Sequence, residues 1–187
     1  MKISRQRTFT LVQGALCIAL ALVLGSKAFE VRIGSQGGSL SFAMIPLLVF
    51  AIYSGGPGWG IGAGIVFGTL KFFIGGGFAV NWQSMLLDYS LAYGAVGLAG
   101  VFRGRFGVRG YLYGALTGCV ARFLVHFISG VTIYAMYAEA TYLGISTPNS
   151  VIFSIFYNGF YMLFNTIAAV VVVPILGVAL KRLPSRS

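Results

Sequence analysis

The sequence predicts an all-α membrane protein in which a single bundle of six transmembrane helices takes up residues 1–187. Two observations lead to this fold class. The chain is 58% hydrophobic and only 9% charged, with a mean hydropathy of +0.90, whereas soluble domains are about 25% charged. Crossing about 30 Å of hydrocarbon takes roughly 20 helical residues, so the chain has room for about six crossings and their loops.

The positive charges favour one orientation in the membrane. The chain has 13 Lys and Arg against 3 Asp and Glu, a net charge of +10. Most of the bases lie at the ends of hydrophobic runs: Lys2, Arg5, Arg7, Arg103, Arg105, Arg109, Lys181, Arg182 and Arg186. The positive-inside rule therefore predicts that both termini and the 103–109 loop are cytoplasmic. In a soluble protein this charge would suggest nucleic acid as a partner, but here it indicates membrane orientation and no nucleic acid is expected.

Hydrophobic periodicity predicts helices near 9–25, 40–54, 58–76, 83–102, 110–137 and 150–180. The first helix is open to a second interpretation as a signal peptide, because KISRQR is a basic n-region and residues 26–28 resemble a cleavage site. The connection 25–41 has the composition of a flexible loop or lid, and an ordinary connecting loop fits it equally well.

Two sets of small residues predict close helix packing. Gly60, Gly64 and Gly68 recur every four residues, which places them along one face of the third helix. Ala15 and Ala19 form a similar pair on the first helix. Small residues at this spacing let another backbone approach closely, in this chain or in a partner.

Polar side chains at four places lie inside or at the end of apolar helices. They are Asp88 and Tyr89, Arg122 and His126, Asn158 and Asn165, and Asn81 with Trp82. A charge that faces lipid costs at least a few kcal/mol, so such groups usually face a cavity or a partner.

The polar groups are predicted to meet in the outer half of the bundle. Counting helical rise puts Asp88 about 8 Å and His126 about 15 Å below the outer boundary. Asn158 falls at a similar depth, and Tyr134 lies one or two turns nearer the outside than His126. A pocket with a carboxylate, an imidazole, an amide and aromatic faces suits a flat, cationic, nitrogen-rich organic molecule.

Structural roles account for several of these residues equally well. His126 is as compatible with a hydrogen bond inside the bundle as with ligand binding. For Arg122 we favour a structural role over ligand contact, either as a partner of Asp88 or of a backbone carbonyl, or with its side chain snorkelling inward. Asn165 fits interhelical hydrogen bonding.

The polar inventory argues against catalysis. A membrane hydrolase needs paired carboxylates, a metal site, or a nucleophile with its base. Glu30 and Glu139 are assigned to outer loops, which leaves one histidine and one deeply placed acid, too few for zinc or a carboxylate dyad. The sequence also has no G-x-x-x-x-G-K-[ST] motif. No catalytic, metal or cofactor site is therefore predicted, and any ATP hydrolysis must come from a partner.

Four segments resemble the thiamine-specific S components of energy-coupling factor (ECF) transporters. They are QGGSLSFAMIP (36–46), LLDYSLAYGAVGLAGVF (86–102), RFLVHFISG (122–130) and FSIFYNGFYM (153–162). The similarity runs across nearly the whole chain, in order and with similar spacing. It implies a six-helix vitamin-binding protein of the bacterial cytoplasmic membrane that binds thiamine from outside. The resemblance further implies a transmembrane T component and two cytoplasmic ATPases as partners.

Position by position, the resemblance implies a role for each matched residue. Those implied to bind substrate are Asp88, Tyr89, His126, Tyr134 and Asn158, and those implied to contact the T component are Ala15 and Ala19. Asp88 would offset the thiazolium charge, and Tyr89 with Tyr134 would contact the rings or the hydroxyl. His126 and Asn158 would form hydrogen bonds with the aminopyrimidine.

The chain departs from the family pattern at two positions. It has Gly37 where some members place a stacking Trp, and Phe153 where some place a Tyr. Trp82 and Phe42 are candidates for the missing ring. Two alternatives stay open: an S component for a thiamine precursor or another vitamin, and a small membrane enzyme or structural bundle without a ligand.

Overall fold

The computed structural model describes residues 2–33, 38–133, 141–142, 145–146 and 149–182, with side chains described for 5–33, 38–133 and 149–182. The α-helices in these ranges are α1 (Lys2–Leu24), α2 (Met44–Phe50), α3 (Gly56–Gly75), α4 (Trp82–Met85), α5 (Ala92–Val96), α6 (Arg109–Thr132) and α7 (Ser150–Lys181). Helix α2 continues into a π-helical turn, Ala51–Gly55. A second π-helical turn, Leu86–Leu91, joins α4 to α5, which ends in a 3-10 segment, Gly97–Phe102.

Five helical stretches of the described chain are long and apolar enough to cross a bilayer. They are Arg5–Leu24, Met44–Gly75, Trp82–Phe102, Arg109–Thr132 and Ser150–Lys181. The protein is therefore a mostly helical, multi-pass membrane protein, and the predicted class is confirmed at this level.

The second stretch reverses direction at Gly55 and Gly56. Gly56 has a φ of 72°, a left-handed conformation that glycine adopts without steric cost. A Cβ added to Gly60 would lie 2.7 Å from the Cβ of Ala51, although nine residues along a straight helix span about 13 Å. The segment Met44–Gly55 and helix α3 therefore run back along each other as a hairpin of two helices.

The stretch Trp82–Phe102, here called the Asp88 helix, begins with a reciprocal cap. The Asn81 side chain accepts a hydrogen bond from the Ser84 backbone N–H at 2.8 Å, and Ser84 Oγ accepts one from the Asn81 N–H at 3.2 Å. This pair satisfies donors that a helix start leaves unpaired. The π-helical turn that follows carries Asp88 and Tyr89. Turns of this kind are frequent at functional sites.

The glycine face of α3 packs directly on the backbone of the Asp88 helix. A Cβ added to Gly64 would overlap the carbonyl of Tyr93, and one added to Gly68 would overlap the carbonyl of Tyr89. The predicted close approach is thus present. It places α3 against the same turn of helix that carries Asp88.

Two features of the fold differ from the prediction. The chain is not purely α-helical, because β1 (Val31–Ile33) pairs antiparallel with β2 (Gly38–Leu40), and β3 (Thr141–Tyr142) pairs with β4 (Ile145–Ser146). The first helix begins at Lys2 and not near residue 9, because the polar N-terminal run continues the same helix. The fifth predicted helix ends at Thr132, and its predicted last residues, 134–137, lie outside the described part of the chain.

The contact between α3 and the Asp88 helix predicts a position-specific response to one added methyl group. We expect Gly64→Ala to destabilise the protein by about 1–3 kcal/mol, because the Cβ has no space against the Tyr93 carbonyl. Thermal unfolding of the purified protein in detergent measures the effect. The matched control is Gly62→Ala on the same helix, where an added Cβ has nothing within 4 Å. Equal midpoints for the two variants would contradict this packing.

Candidate functional site

A cavity lies between the Asp88 helix, α6, α7 and the hairpin formed by β1 and β2. Its polar lining is Ser39, Lys71, Asp88, Arg122, His126, Ser154 and Asn158, and its aromatic lining is Phe78, Tyr89, Tyr93, Phe153, Tyr157 and Tyr161. The cavity has a volume of about 50 Å³. This is smaller than a typical ligand pocket of about 300–1,000 Å³, so the lining would have to move apart to hold an organic ligand.

Asp88 is held against α6 by two hydrogen bonds. Its Oδ1 lies 3.0 Å from Nδ1 of His126, and its Oδ2 accepts a hydrogen bond from Ser129 Oγ at 2.9 Å. His126 and Ser129 are three residues apart, so they share one face of α6. The Asp88 side chain is 14% exposed and lines the cavity. A carboxylate has about four lone-pair sites, so this arrangement fixes its orientation and leaves acceptor capacity for a ligand.

Arg122 contacts His126 and not Asp88. Its Nε donates to Nε2 of His126 at 3.3 Å, and its guanidinium carbon lies 4.1 Å from the centre of the Tyr93 ring. A further contact joins Nη1 to the sulfur of Met44 at 3.6 Å. Asp88 was predicted as a possible structural partner of Arg122. In the structure, the neighbouring imidazole of His126 takes that place.

Most of the hydrogen-bonding capacity of the Asn158 side chain is used within the protein. Its amide nitrogen donates to the His126 carbonyl at 3.3 Å and to Ser154 Oγ at 3.0 Å, and its oxygen accepts from the Tyr161 hydroxyl at 2.9 Å. Both amide hydrogens are used in this arrangement, which leaves one lone pair on the oxygen for a ligand. Asn158 thus positions Tyr161 and the backbone of α6 beside the cavity.

Tyr89 stands on the same π-helical turn as Asp88. Its hydroxyl accepts a hydrogen bond from the Phe78 N–H at 2.8 Å, and its ring packs edge-on against Phe72 at 5.1 Å between centroids. No acceptor for the Tyr89 hydroxyl proton is found among the described residues, so this proton is available to a ligand. Tyr134 lies outside the described part of the chain.

The structure adds residues that the sequence reasoning missed: Ser129, which orients Asp88, and the lining residues Tyr93 and Lys71. Ser129 follows His126 by three residues, and this helical spacing was the signal that could have found it. Lys71 lies inside the apolar helix α3, so the rule that singled out Asp88 could also have found it. Tyr93 gave no such signal, because it is one of ten tyrosines in the chain. Trp82 and Phe42, the candidate replacement rings, are 66% and 49% exposed and do not line the cavity.

The β1–β2 hairpin covers the cavity and is fastened to α7. The Tyr157 hydroxyl accepts from the Gly38 N–H at 2.8 Å and donates to the Ile33 carbonyl at 3.2 Å. The Asn165 amide accepts from the Ser41 N–H at 3.0 Å and donates to the Ser39 carbonyl at 2.8 Å. Asn165 therefore pairs with the hairpin backbone much as a neighbouring strand would, and its predicted interhelical role is corrected to a bond between helix and hairpin.

An ion-pair network fastens the segment before the hairpin to α3. Lys71 Nζ lies 2.6 Å from Glu30 Oε2 and donates to the Gly25 carbonyl at 3.0 Å. Arg32 contacts Glu30 Oε1 at 3.2 Å and donates to the carbonyls of residues 75 and 76. Burial alone would raise the pKa of the Glu30 carboxyl, but the hydrogen bonds and charges of Lys71 and Arg32 outweigh burial and hold that pKa below its ordinary value.

A small-residue groove lies on the outside of the bundle, between α1 and α3. It has a volume of about 570 Å³, and its lining is almost entirely apolar and includes Ala15, Gly58, Trp59 and Gly62. Ala15 and Ala19 are both exposed, and only 11% of the apolar window of α1 is buried. The face of α1 that carries the alanine pair is therefore free to contact another molecule.

Comparison of the sequence with known protein families identifies the family of this chain. A family model described as thiamine transporter protein (Thia_YuaJ) matches residues 11–185. The chain belongs to this thiamine transporter family. The family assignment makes it a membrane transport protein and not an enzyme, in agreement with the prediction.

Individual members of the thiamine transporter family show the same relationship. Thiamine transporter ThiT of Lacticaseibacillus paracasei is 33% identical over 153 residues, which cover 73% of this chain and 72% of that protein. ThiT of Bacillus subtilis is 28% identical over 189 residues, with 92% of each chain covered. A solved structure of ThiT from Listeria monocytogenes has a TM-score of 0.79 at 26% identity and covers 94% of this chain and 97% of its own.

The Glu30 network predicts an acid-dependent loss of stability. The folded-state pKa of Glu30 is lowered, so its contribution is complete above the unfolded value of about 4.3 and is lost as pH falls through the folded value. We expect the difference in thermal midpoint between the wild type and Glu30→Gln to be constant above about pH 5 and to shrink below about pH 4. A difference that grows as pH falls would contradict the assignment.

Proposed function

We propose that the chain is the thiamine-binding S component of an ECF transporter in the bacterial cytoplasmic membrane. It captures thiamine from outside and releases it inward when partner ATPases hydrolyse ATP. Membership of the thiamine transporter family supports the ligand. The absence of a nucleotide-binding motif in the sequence supports an external source of energy.

The observation that carries this proposal is the environment of the Asp88 carboxylate. Asp88 is mostly buried, lines the cavity, and is oriented by His126 and Ser129. Among the described residues, no Lys or Arg nitrogen lies within 4.0 Å of it. A buried carboxylate without such a partner is costly, and a cationic ligand supplies the missing positive charge. The thiazolium of thiamine is such a cation.

The remaining residues of the proposed site divide the recognition of thiamine between them. Tyr89 offers its hydroxyl proton and the edge of its ring, and the free lone pair on the Asn158 oxygen accepts from an amino group. His126 acts on the ligand through Asp88, which it orients. Tyr134 is proposed to contact the rings, as the resemblance implies.

We further propose six membrane crossings with both termini in the cytoplasm. The reversal at Gly55 and Gly56 supports this count, since it divides the second apolar stretch into two antiparallel helices. The bases at both termini and in the 103–109 loop support the orientation. The cavity then opens to the outside, where an importer meets its substrate.

The proposed contact with the T component runs through α1. The exposure of Ala15 and Ala19 supports it, as does the adjacent groove with its glycine floor. Small residues on both sides of this groove permit a helix of another protein to approach at backbone distance.

The Asp88 proposal is tested by a pair of substitutions that differ in charge. We expect Asp88→Asn to weaken thiamine binding by at least about tenfold, because removing one partner of a buried charged contact costs about 2–5 kcal/mol. Asp88→Glu keeps the charge and should retain most of the affinity. Calorimetry of the purified protein measures both. Wild-type affinity in Asp88→Asn would refute the role.

The same calorimetry separates thiamine from other ligands. We expect thiamine to bind more tightly than its pyrimidine half, its thiazole half or riboflavin. Preferential binding of one half or of riboflavin would favour an S component for a precursor or another vitamin. No binding of any of them would favour a structural bundle.

Partner binding through α1 is tested by bulky substitutions. We expect Ala15→Trp and Ala19→Trp to reduce co-purification with a co-expressed T component and ATPases, because indole rings fill the space needed for close helix contact. Thiamine binding by the isolated chain should not change. Leu20→Trp, at an exposed position away from the alanine pair, is the control. Equal co-purification of all three variants would exclude this interface.

A further inference from the structure

Arg122 is a buried cation whose partners are unusual. The residue is 6% exposed, and no carboxylate lies within ion-pair distance of it among the described residues. Its contacts are instead the His126 imidazole, the Tyr93 ring and the Met44 sulfur. A buried charge is normally retained only where it is paired or has a specific task.

The contact between Arg122 and His126 fixes the position of a proton. A guanidinium nitrogen can only donate, so Nε2 of His126 must accept and can carry no hydrogen. The ring proton is then on Nδ1, which lies 3.0 Å from Asp88 Oδ1. A directed chain runs from Arg122 through His126 to Asp88, in which each member donates to the next.

We propose that Arg122 is a positioning residue that keeps Nε2 of His126 free of a proton, so that His126 meets Asp88 as a neutral donor and never as an imidazolium. This inference rests on the proposed function, because its purpose is to leave the negative charge of Asp88 available to a cationic ligand. An imidazolium at 3.0 Å would form an ion pair with that carboxylate and compete with the ligand for it.

The surroundings of His126 agree with this role. The titratable groups that face the ring are Asp88 from the Asp88 helix, Arg122 from its own helix and Tyr161 from α7, whose ring centre is 5.8 Å away. The Tyr161 hydroxyl donates to Asn158 and not to the imidazole. Arg122 is thus the only one of the three that directs a donor at Nε2. Its charge lies over the Tyr93 ring, on the far side of the imidazole from Asp88.

The composition of the chain makes the proton directly observable. His126 is the only histidine among the 187 residues, so a protein labelled with 15N-histidine and purified with a tag that contains no histidine gives ring-nitrogen resonances from one site. The chemical shifts distinguish a nitrogen that carries a proton from one that does not. Spectra are compared between neutral and mildly acidic buffer, without ligand, for the wild type and two variants.

The two variants separate a donor at Nε2 from simple space filling. Arg122→Met removes every donor while keeping an apolar side chain of similar length, a change that is often tolerated at buried ion sites. Arg122→Lys keeps a cationic donor. We expect Nδ1 protonated and Nε2 unprotonated in the wild type and in Arg122→Lys, in both buffers. In Arg122→Met we expect a fraction of Nε2 to be protonated, and this fraction should increase in mildly acidic buffer. Leu124→Met, on the exposed side of α6, should match the wild type.

A proton on Nε2 in the wild type would overturn the proposal without any variant. Wild-type spectra from Arg122→Met in both buffers would overturn it as well. Thiamine titration adds a functional readout: we expect a loss of affinity of about tenfold in Arg122→Met and of no more than about threefold in Arg122→Lys. Equal losses in the two variants would overturn the proposal. If wild-type protein binds no thiamine, the proposed function fails, while the ligand-free spectra still decide where the proton lies.

Discussion

The hydrogen bonds that hold Asp88 against α6 are the constraint on which the site depends. His126 and Ser129 contact one oxygen each, and they do so because the π-helical turn Leu86–Leu91 presents the carboxylate to that face of α6. The π-helical turn also packs against α3, because the absence of a side chain at Gly68 lets the backbone of α3 contact the backbone at Tyr89. A carboxylate on a long, mobile side chain would lose conformational entropy on binding a ligand. Asp88 has been ordered in advance by its neighbours.

Among the described residues, two basic side chains line the cavity, and the charge of each is kept from Asp88 in a different way. Lys71 is paired with Glu30 at the mouth, so its charge is cancelled before a ligand arrives. Arg122 lies over the Tyr93 ring and is separated from Asp88 by the imidazole. The local charge that a ligand meets is therefore dominated by the acid, although the chain as a whole has a net charge of +10.

The sequence predicted the helical membrane class, the glycine contact of α3 and the buried setting of Asp88, because each depends on local composition or on spacing within one helix. The β1–β2 hairpin escaped prediction because its fastening residues, Tyr157 and Asn165, lie 119 to 126 residues away along the chain from the backbone groups they bind. The π-helical turn escaped for a similar reason, since its shape depends on a neighbouring helix. Asn158 was predicted as a ligand contact from its depth in the bundle and from the family resemblance, and its hydrogen bonds to Ser154 and Tyr161 follow from their positions on the same helix.

Helix α7 contributes both to the cavity wall and to the attachment of the β1–β2 hairpin. Asn158 and Tyr161 form part of the cavity wall, while Tyr157 and Asn165, on the same rigid cylinder, fasten the hairpin above it. Because both sets of contacts come from one helix, a movement of α7 as a rigid unit would displace the cavity wall and the hairpin together.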